Sequence, residues 1–490
     1  MACSSDDAVG LLHVSTFLRH AVDRGEKLLS QEGLDGRDSV MVLLSLSLLS
    51  VLLFCLLVVL MFFLWKDDKP EPGSTSESMS ENGLSSSSIA LGMVGSMLEM
   101  YDFGLYGFFT AEIGDTFFRG SRDFETVSIT FATNAAGFLM RPLGAILLGY
   151  IADSYGRVVA LRIGLAGMVC STSVIGLLPA RSSIGIAAPV LVVSMRAIQG
   201  LSAGGQIPGS FVYVLERAKP HRRCLASGLV TLSMSFGMML ASAIAALSHH
   251  VARDYSFWRL PFCLAVIPGA IAWWAGSQAE ESEEYSSADK TRDGQNGLLF
   301  KAFQANWLAM LKIGIMAAFL GVTIYTLHTW LPTYERTLRP PPALPYAFTI
   351  NTVAMAMFGI MIPFWGWLAD HAKYELLLLC ITPFLGILSG PVFHTFDSTQ
   401  PKVVFAAYLL FTIPLSCHAS LAFRWMYDLV PDASHRCITI CTTYSIFMAA
   451  FAGTSPYVNT KLTQTSWGIS APGLYISLLS FLSTLAIASR

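Results

Sequence analysis

Charged side chains set inside long apolar runs are the residues of this sequence best placed to do chemistry. Four stand out: Glu99 and Asp102, then Arg141, then Arg196. A charge in a membrane helix costs a few kcal/mol on insertion scales, so such residues mark functional sites by default. Glu99 and Asp102 are three positions apart and share one helix face. In a low-dielectric bundle each carboxylate disfavours charge on the other, and a nearby arginine favours it. Such a site can bind and release one proton near neutral pH. An arginine keeps its charge, so Arg141 and Arg196 either neutralise these acids or hold a carboxylate on a substrate. The competing expectation is a structural ion-pair cluster that only pins helices together.

A second group lies at the ends of runs. In Gly149-Tyr-Ile-Ala-Asp153-Ser-Tyr-Gly156-Arg157 the glycines permit close helix approach and a tight turn. Asp153 can accept hydrogen bonds from a facing helix N-terminus, where the dipole favours negative charge, and so latch two halves together. The spacing recurs as Gly366-Trp-Leu-Ala-Asp370, 217 positions later. Likewise Glu216…Pro220…Arg223-Cys224 returns as Asp428…Pro431…Arg436-Cys437 at an offset of 213. Two matches at nearly one offset indicate a duplicated half, as secondary transporters use around a midplane site.

In the second half Tyr325 and His328 end one apolar run, and His418 and Arg424 lie in another. His328 and His418 are candidates for substrate contact against the alternative of hydrogen-bonded packing. Trp330, Trp365 and Trp425 are expected in an interfacial belt.

The elements that position these groups follow from composition. Of 490 residues, 53% are hydrophobic and 13% charged, whereas soluble domains carry roughly 25% charged residues. Lipid is the expected solvent. A helix needs about 20 apolar residues to cross the hydrocarbon core, and the runs fall in the pattern one, linker, six, loop, six. The expected organisation is a polar segment 1–39, an extra transmembrane helix 40–65, a flexible linker 66–88, a six-helix bundle 89–276, a central cytoplasmic loop 277–304 and a second bundle 305–490. The acidic stretch Ser277–Gly297 is expected to be solvated linker. The fold class is all-α integral membrane. Residues 217–223 form the most basic loop, which the positive-inside rule places in the cytoplasm. The net charge of −2 leaves no footprint for nucleic acid. The scattered cysteines have no metal-ligand spacing and are expected to be small packing residues. No nucleotide loop, HExxH or other enzyme motif is present, so neither an enzyme nor a cofactor is expected.

By this point the residues resemble a known family. Glu99-Met-Tyr-Asp102-Phe-Gly-Leu-Tyr-Gly is similar to the first-helix signature of the metabolite:proton symporters, a branch of the major facilitator superfamily. Phe138-Leu-Met-Arg141-Pro-Leu-Gly144 resembles their second helix. Ser183–Pro189 and Arg196-Ala-Ile-Gln199-Gly200-Leu-Ser-Ala-Gly-Gly205 resemble their fourth, and Trp258-Arg-Leu-Pro-Phe262 the start of their sixth. The resemblance implies a major facilitator fold of two six-helix bundles, here with one extra N-terminal hydrophobic helix. It also implies uptake of compounds such as proline, betaine, α-ketoglutarate, citrate or shikimate with a proton.

Carried over, it makes Glu99, Asp102, Arg141, Arg196, Gln199 and position 206 the coupling and binding candidates, to which Tyr325 and His328 are added. Gly149, Asp153, Gly156, Arg157, Glu216, Arg223, Gly366, Asp370, Asp428 and Arg436 form the expected cytoplasmic gate. Three departures matter. Gln206 stands where the family usually has Glu, and it cannot titrate. Ser154 and Val158 replace usual basic residues, which would loosen the latch. No coiled coil follows the last helix. The expected partners are a small carboxylate-bearing substrate, a proton and the bilayer, with the chain a monomer. An uncoupled facilitator, and a receptor or scaffold that does not transport, are the rival readings.

Overall fold

A computed structural model describes residues 86–118, 124–251, 257–282, 285–286, 298–335, 344 and 347–489. The extra helix 40–65 and the segments 1–39 and 66–85 lie outside the described residues. Among the described residues the chain is helical with no strand.

The first half comprises α1 (Ser86–Phe108), α2 (Phe124–Ser154), α3 (Arg157–Leu177), α4 (Ala187–Ala203) continued by α5 (Gln206–Arg217), α6 (Arg223–Val251) and α7 (Val266–Gln278). The second comprises α8 (Leu298–Tyr325), α9 (Ala347–Asp370), α10 (Tyr374–Thr395), α11 (Pro401–Asp428), α12 (Arg436–Phe447) and α13 (Ser470–Ala488). Among the described residues, ten helical stretches from Arg157 onward are long and apolar enough to cross a membrane. Before them come α1 with 23 residues and α2 with 31, which carry the buried charges Glu99, Asp102 and Arg141. The helix expected from Ile89 begins three residues earlier, at Ser86.

Isoleucine, leucine and phenylalanine face outward along most spans, as at Leu139, Leu147, Ile267 and Ile387. Lipid tails are as apolar as these side chains, so helix association rests on close packing and polar contacts. Within the first half α1 packs on α5 and α6, and α2 packs on α4. Between the halves α2 and α5 meet α12, while α6 meets α9 and α11. The fourth span is not continuous: α4 stops at Ala203 and α5 starts at Gln206, with Gly204 and Gly205 between them. Interrupted helices are where transporter folds expose backbone groups to a site.

Candidate functional site

The central charges meet because helices approach where side chains are absent. A Cβ on Gly200 would lie 2.1 Å from the Gly137 carbonyl oxygen, and one on Gly204 would lie 2.2 Å from that of Arg141. Glycine at these crossings lets α2 and α4 touch backbone to backbone and presents both arginines to α1. Arg141 Nη1 lies 3.0 Å from Glu99 Oε1, and Arg196 Nη1 lies 3.1 Å from Asp102 Oδ2. All four residues are less than a tenth exposed. Asp102 is held further by Gln199 Nε2 at 2.7 Å and by the Thr172 hydroxyl at 2.8 Å. Gln199 Oε1 in turn accepts from Arg196 at 2.7 Å, and the guanidinium carbon stands 3.4 Å from the centre of the Tyr106 ring. Two of its nitrogens, Nε and Nη2, have no hydrogen-bond partner among the described residues.

Both pairs open on one cavity, with an empty volume of ≈ 350 Å³ that includes open solvent. Glu99, Asp102, Arg141, Arg196, Gln199, Phe103 and Phe138 are among its walls. Phe103 meets the Tyr325 ring of the second half at a tilt and Phe138 meets it edge to face, at centroid separations of 5.6 Å and 6.2 Å. Tyr325 and Tyr444 both lie within electrostatic reach of Arg141. The residues lining this cavity, charged and aromatic alike, come from the first half; Tyr325 does not line it and meets it only through the Phe103 and Phe138 rings.

A second network closes one end of the molecule. Asp153, last but one in α2, accepts the backbone N–H groups of Cys437 at 3.2 Å and Ile438 at 2.7 Å, in the first turn of α12. Asp370, at the end of α9, accepts those of Cys224 and Leu225, both at 2.8 Å, in the first turn of α6. Each carboxylate thus caps a helix of the other half, where unpaired amides and the dipole favour an anion. The glycine four residues before each aspartate permits the approach. A Cβ on Gly149 would lie 2.8 Å from Ile438 Cα, and one on Gly366 would lie 2.8 Å from the Cys224 oxygen.

Glu216 is shared between two arginines, 3.1 Å from Arg157 Nη2 and 2.9 Å from Arg436 Nη1. Arg157 also pairs with Asp153 and donates to the Ala433 carbonyl at 2.7 Å. Arg223 donates to the Ala218 carbonyl at 3.3 Å and lies over the Tyr427 ring. Asp428 receives Arg424 at 3.1 Å and the hydroxyl of Tyr374.

The Major Facilitator Superfamily profile matches residues 91–454. The chain belongs to this superfamily. A Staphylococcus haemolyticus protein named for proline/betaine transport is 31% identical over 405 residues, which cover 81% of this chain and 85% of that one. The citrate-proton symporter of Salmonella typhi is 28% identical over 388 residues, with 78% and 88% covered. Among solved structures, the proton:xylose symporter XylE superposes with a TM-score of 0.64 at 15% identity, over 82% of this chain and 95% of that one. The last likeness concerns the fold alone. The protein is a multi-pass membrane transporter and not an enzyme.

Most of the residues expected at the transporter's two sites are brought together as pairs or caps. Others stand elsewhere. Gln206 is 1% exposed and does not line the cavity; its amide presses on α1 and α3, where Cβ atoms on Gly95 and Gly164 would lie 2.1 and 2.8 Å away. His328 also stands off the cavity, its Nδ1 3.0 Å from Asn351 Oδ1. His418 packs against Phe319 with its Nδ1 3.1 Å from the Thr382 hydroxyl. Trp330 and Trp425 are core residues rather than a belt, at 3% and 0% exposure. Among the described residues the exposed tryptophans are Trp273, Trp274, Trp307, Trp367 and Trp467. An indole beside a hydroxyl can be buried whole, as Trp330 is, donating to Thr460 at 3.0 Å.

The loop after α7 is likewise not all solvated. Glu281 accepts the N–H groups of Arg157 at 2.8 Å and Val158 at 2.9 Å, and the Ser282 hydroxyl donates to Glu216 at 2.5 Å. Gly156, at φ 131°, makes the turn that exposes those amides. Ser154 and Val158 bring no basic side chain to this turn, and the Glu281 carboxylate holds it through the backbone instead. Residues 283–284 and 287–297 lie outside the described residues.

Thr172 escaped the sequence reading, while Tyr106, Phe103 and Phe138 entered it only inside motifs and without a role. Tyr106 carries a signal, one helical turn beyond Asp102 on its face; Thr172 carries none. Among the described residues no group of three His, Cys, Asp or Glu is placed to hold a metal ion.

Proposed function

We propose that this transporter moves a small carboxylate-bearing metabolite together with a proton, by alternating access between halves 89–276 and 305–490. The observation that carries the proposal is the convergence of Glu99–Arg141 and Asp102–Arg196 on one cavity, with two Arg196 nitrogens unpartnered. A proton taken up by Asp102 cancels its hold on Arg196, and the released guanidinium can take the substrate carboxylate. Loss of that proton restores the internal pair and expels the substrate. Binding of proton and anion are then reciprocal, as linkage requires. The relatives named for proline/betaine and citrate support an organic acid, amino acid or betaine as substrate. The capped end carries the basic loop 217–223, and on the positive-inside rule it faces the cytoplasm. The working unit is a monomer.

Proteoliposomes given labelled citrate, proline or betaine test the proposal. Uptake of one of them should rise with an inward proton gradient, and Asp102→Asn should abolish that rise. Acceleration that persists in Asp102→Asn removes Asp102 from the mechanism. Gln206, which cannot titrate, favours a second reading, an uncoupled facilitator. That protein would show counterflow and no accumulation under any proton gradient.

A further inference from the structure

The break between α4 and α5 contains a backbone group that its own helix cannot satisfy. A helical carbonyl accepts from the residue four positions on, and for Gly204 that residue is Pro208, which has no N–H. An unpaired carbonyl in a dry interior is costly. The donor comes from the other half: the Ser445 hydroxyl of α12 reaches the Gly204 oxygen at 2.7 Å, in a fully buried contact. Beside it the Cys441 thiol lies 4.0 Å from the Gly205 oxygen. On the far side of the same break Ile207 lies in the first turn of α5, which packs on α1, the helix that bears Glu99. Ser445 follows Tyr444, which interacts electrostatically with Glu99 and Arg141. One break in one helix therefore touches the helix of the central ion pair on one side and the partner half on the other.

We propose that Ser445 is a positioning residue, which closes the Gly204 carbonyl only while α12 is docked and so ties gate closure to the α4–α5 break beside the Glu99 helix. When α12 swings away the carbonyl loses its donor, and it is satisfied only if water enters the opened cleft. The bond thus favours the closed gate by the worth of one buried hydrogen bond. Its part in coupling rests on the transport reading above. Its existence as a latch does not.

The test uses the full chain in proteoliposomes, with a permeant maleimide and mass spectrometry to read labelling at Cys437 and Cys441, each 1% exposed while the gate is shut. Ser445→Ala should raise labelling about five-fold, the factor for losing one neutral hydrogen bond, and Ser445→Thr should restore it. Pro208→Ala supplies an N–H to Gly204 from within the helix, so Ser445 should lose its importance there. Ser445→Ala should then add nothing to the labelling of Pro208→Ala. Unchanged labelling in Ser445→Ala overturns the proposal, and so does an equal increment in both backgrounds. Because the readout is thiol access, it stands even if no substrate shows proton-driven uptake, which would defeat the transport reading alone.

Discussion

Glu99 and Asp102 are neighbours with different constraints. Asp102 has an arginine, an amide and a hydroxyl within 3.1 Å. Glu99 has Arg141, and its oxygens meet no other side-chain donor among the described residues. Breaking a buried pair by neutralising one member costs about 3–5 kcal/mol, because the other charge stays buried, whereas replacing both by apolar groups is often nearly neutral. Glu99→Gln should therefore lower the unfolding temperature sharply, and the double variant Glu99→Met with Arg141→Met should recover most of it. Uptake should be lost in both. A double variant that unfolds as readily as the single one would show that the charges are not each other's main partner.

The helix ends show a repeat whose two copies carry unequal loads. Asp153 and Asp370 each cap a helix of the opposite half through two backbone N–H groups. Asp153 also pairs with Arg157, which is 1% exposed and shares Glu216 with Arg436. At the matching place in the second half stands Tyr374, which gives Asp428 a hydroxyl and no charge. Losing an N-cap costs about 0.5–2 kcal/mol, and at Asp153 the loss also takes from buried Arg157 one of its two carboxylates, leaving Glu216 as the other. Thermal unfolding in detergent should thus fall further for Asp153→Ala than for Asp370→Ala. Equal shifts would mean that Glu216 alone suffices to hold Arg157.

For the whole molecule, the closed end joins both halves and the loop between them. Glu216 is the common node, bound by Arg157 of its own half, Arg436 of the other and Ser282 of the loop. Arg436→Gln removes the charge bridging the halves, and labelling of Cys437 should rise. The loop adds a dependence on pH. Burial pushes the Glu281 carboxyl above its ordinary value, more than the Val158 and Arg157 amides lower it. Docked, this carboxyl holds a proton more tightly than it does undocked, so docking is favoured below the ordinary glutamate value. That advantage fades as pH rises through the raised value. Hydroxyl-radical footprinting of Tyr285, 6% exposed when docked, should show greater protection at acid than at neutral pH. Glu281→Gln should remove the difference, and a pH effect that survives it would have another source.

Periodicity, composition and repeated short patterns determined the spans, the duplicated half, the buried charges and the capping role of Asp153. Each of these depends on a cost that neighbouring residues alone reveal: a charge among apolar residues, or an aspartate after a glycine at a helix end. The tertiary structure alone decided which charge met which. It paired Glu99 with Arg141 and Asp102 with Arg196, brought Thr172 to Asp102 from 70 positions away and sent Gln206 into a seam between glycines. It also drew Glu281 and Ser282 out of a stretch that reads as solvated linker, and it buried Trp425. The physical reason is range. Insertion cost and helix capping act on a residue and its near neighbours, whereas an ion pair or a shared carbonyl depends on distances that only the packed helices set. Pro208 shows both at once, since the sequence states that Gly204 lacks a donor and only the fold supplies Ser445.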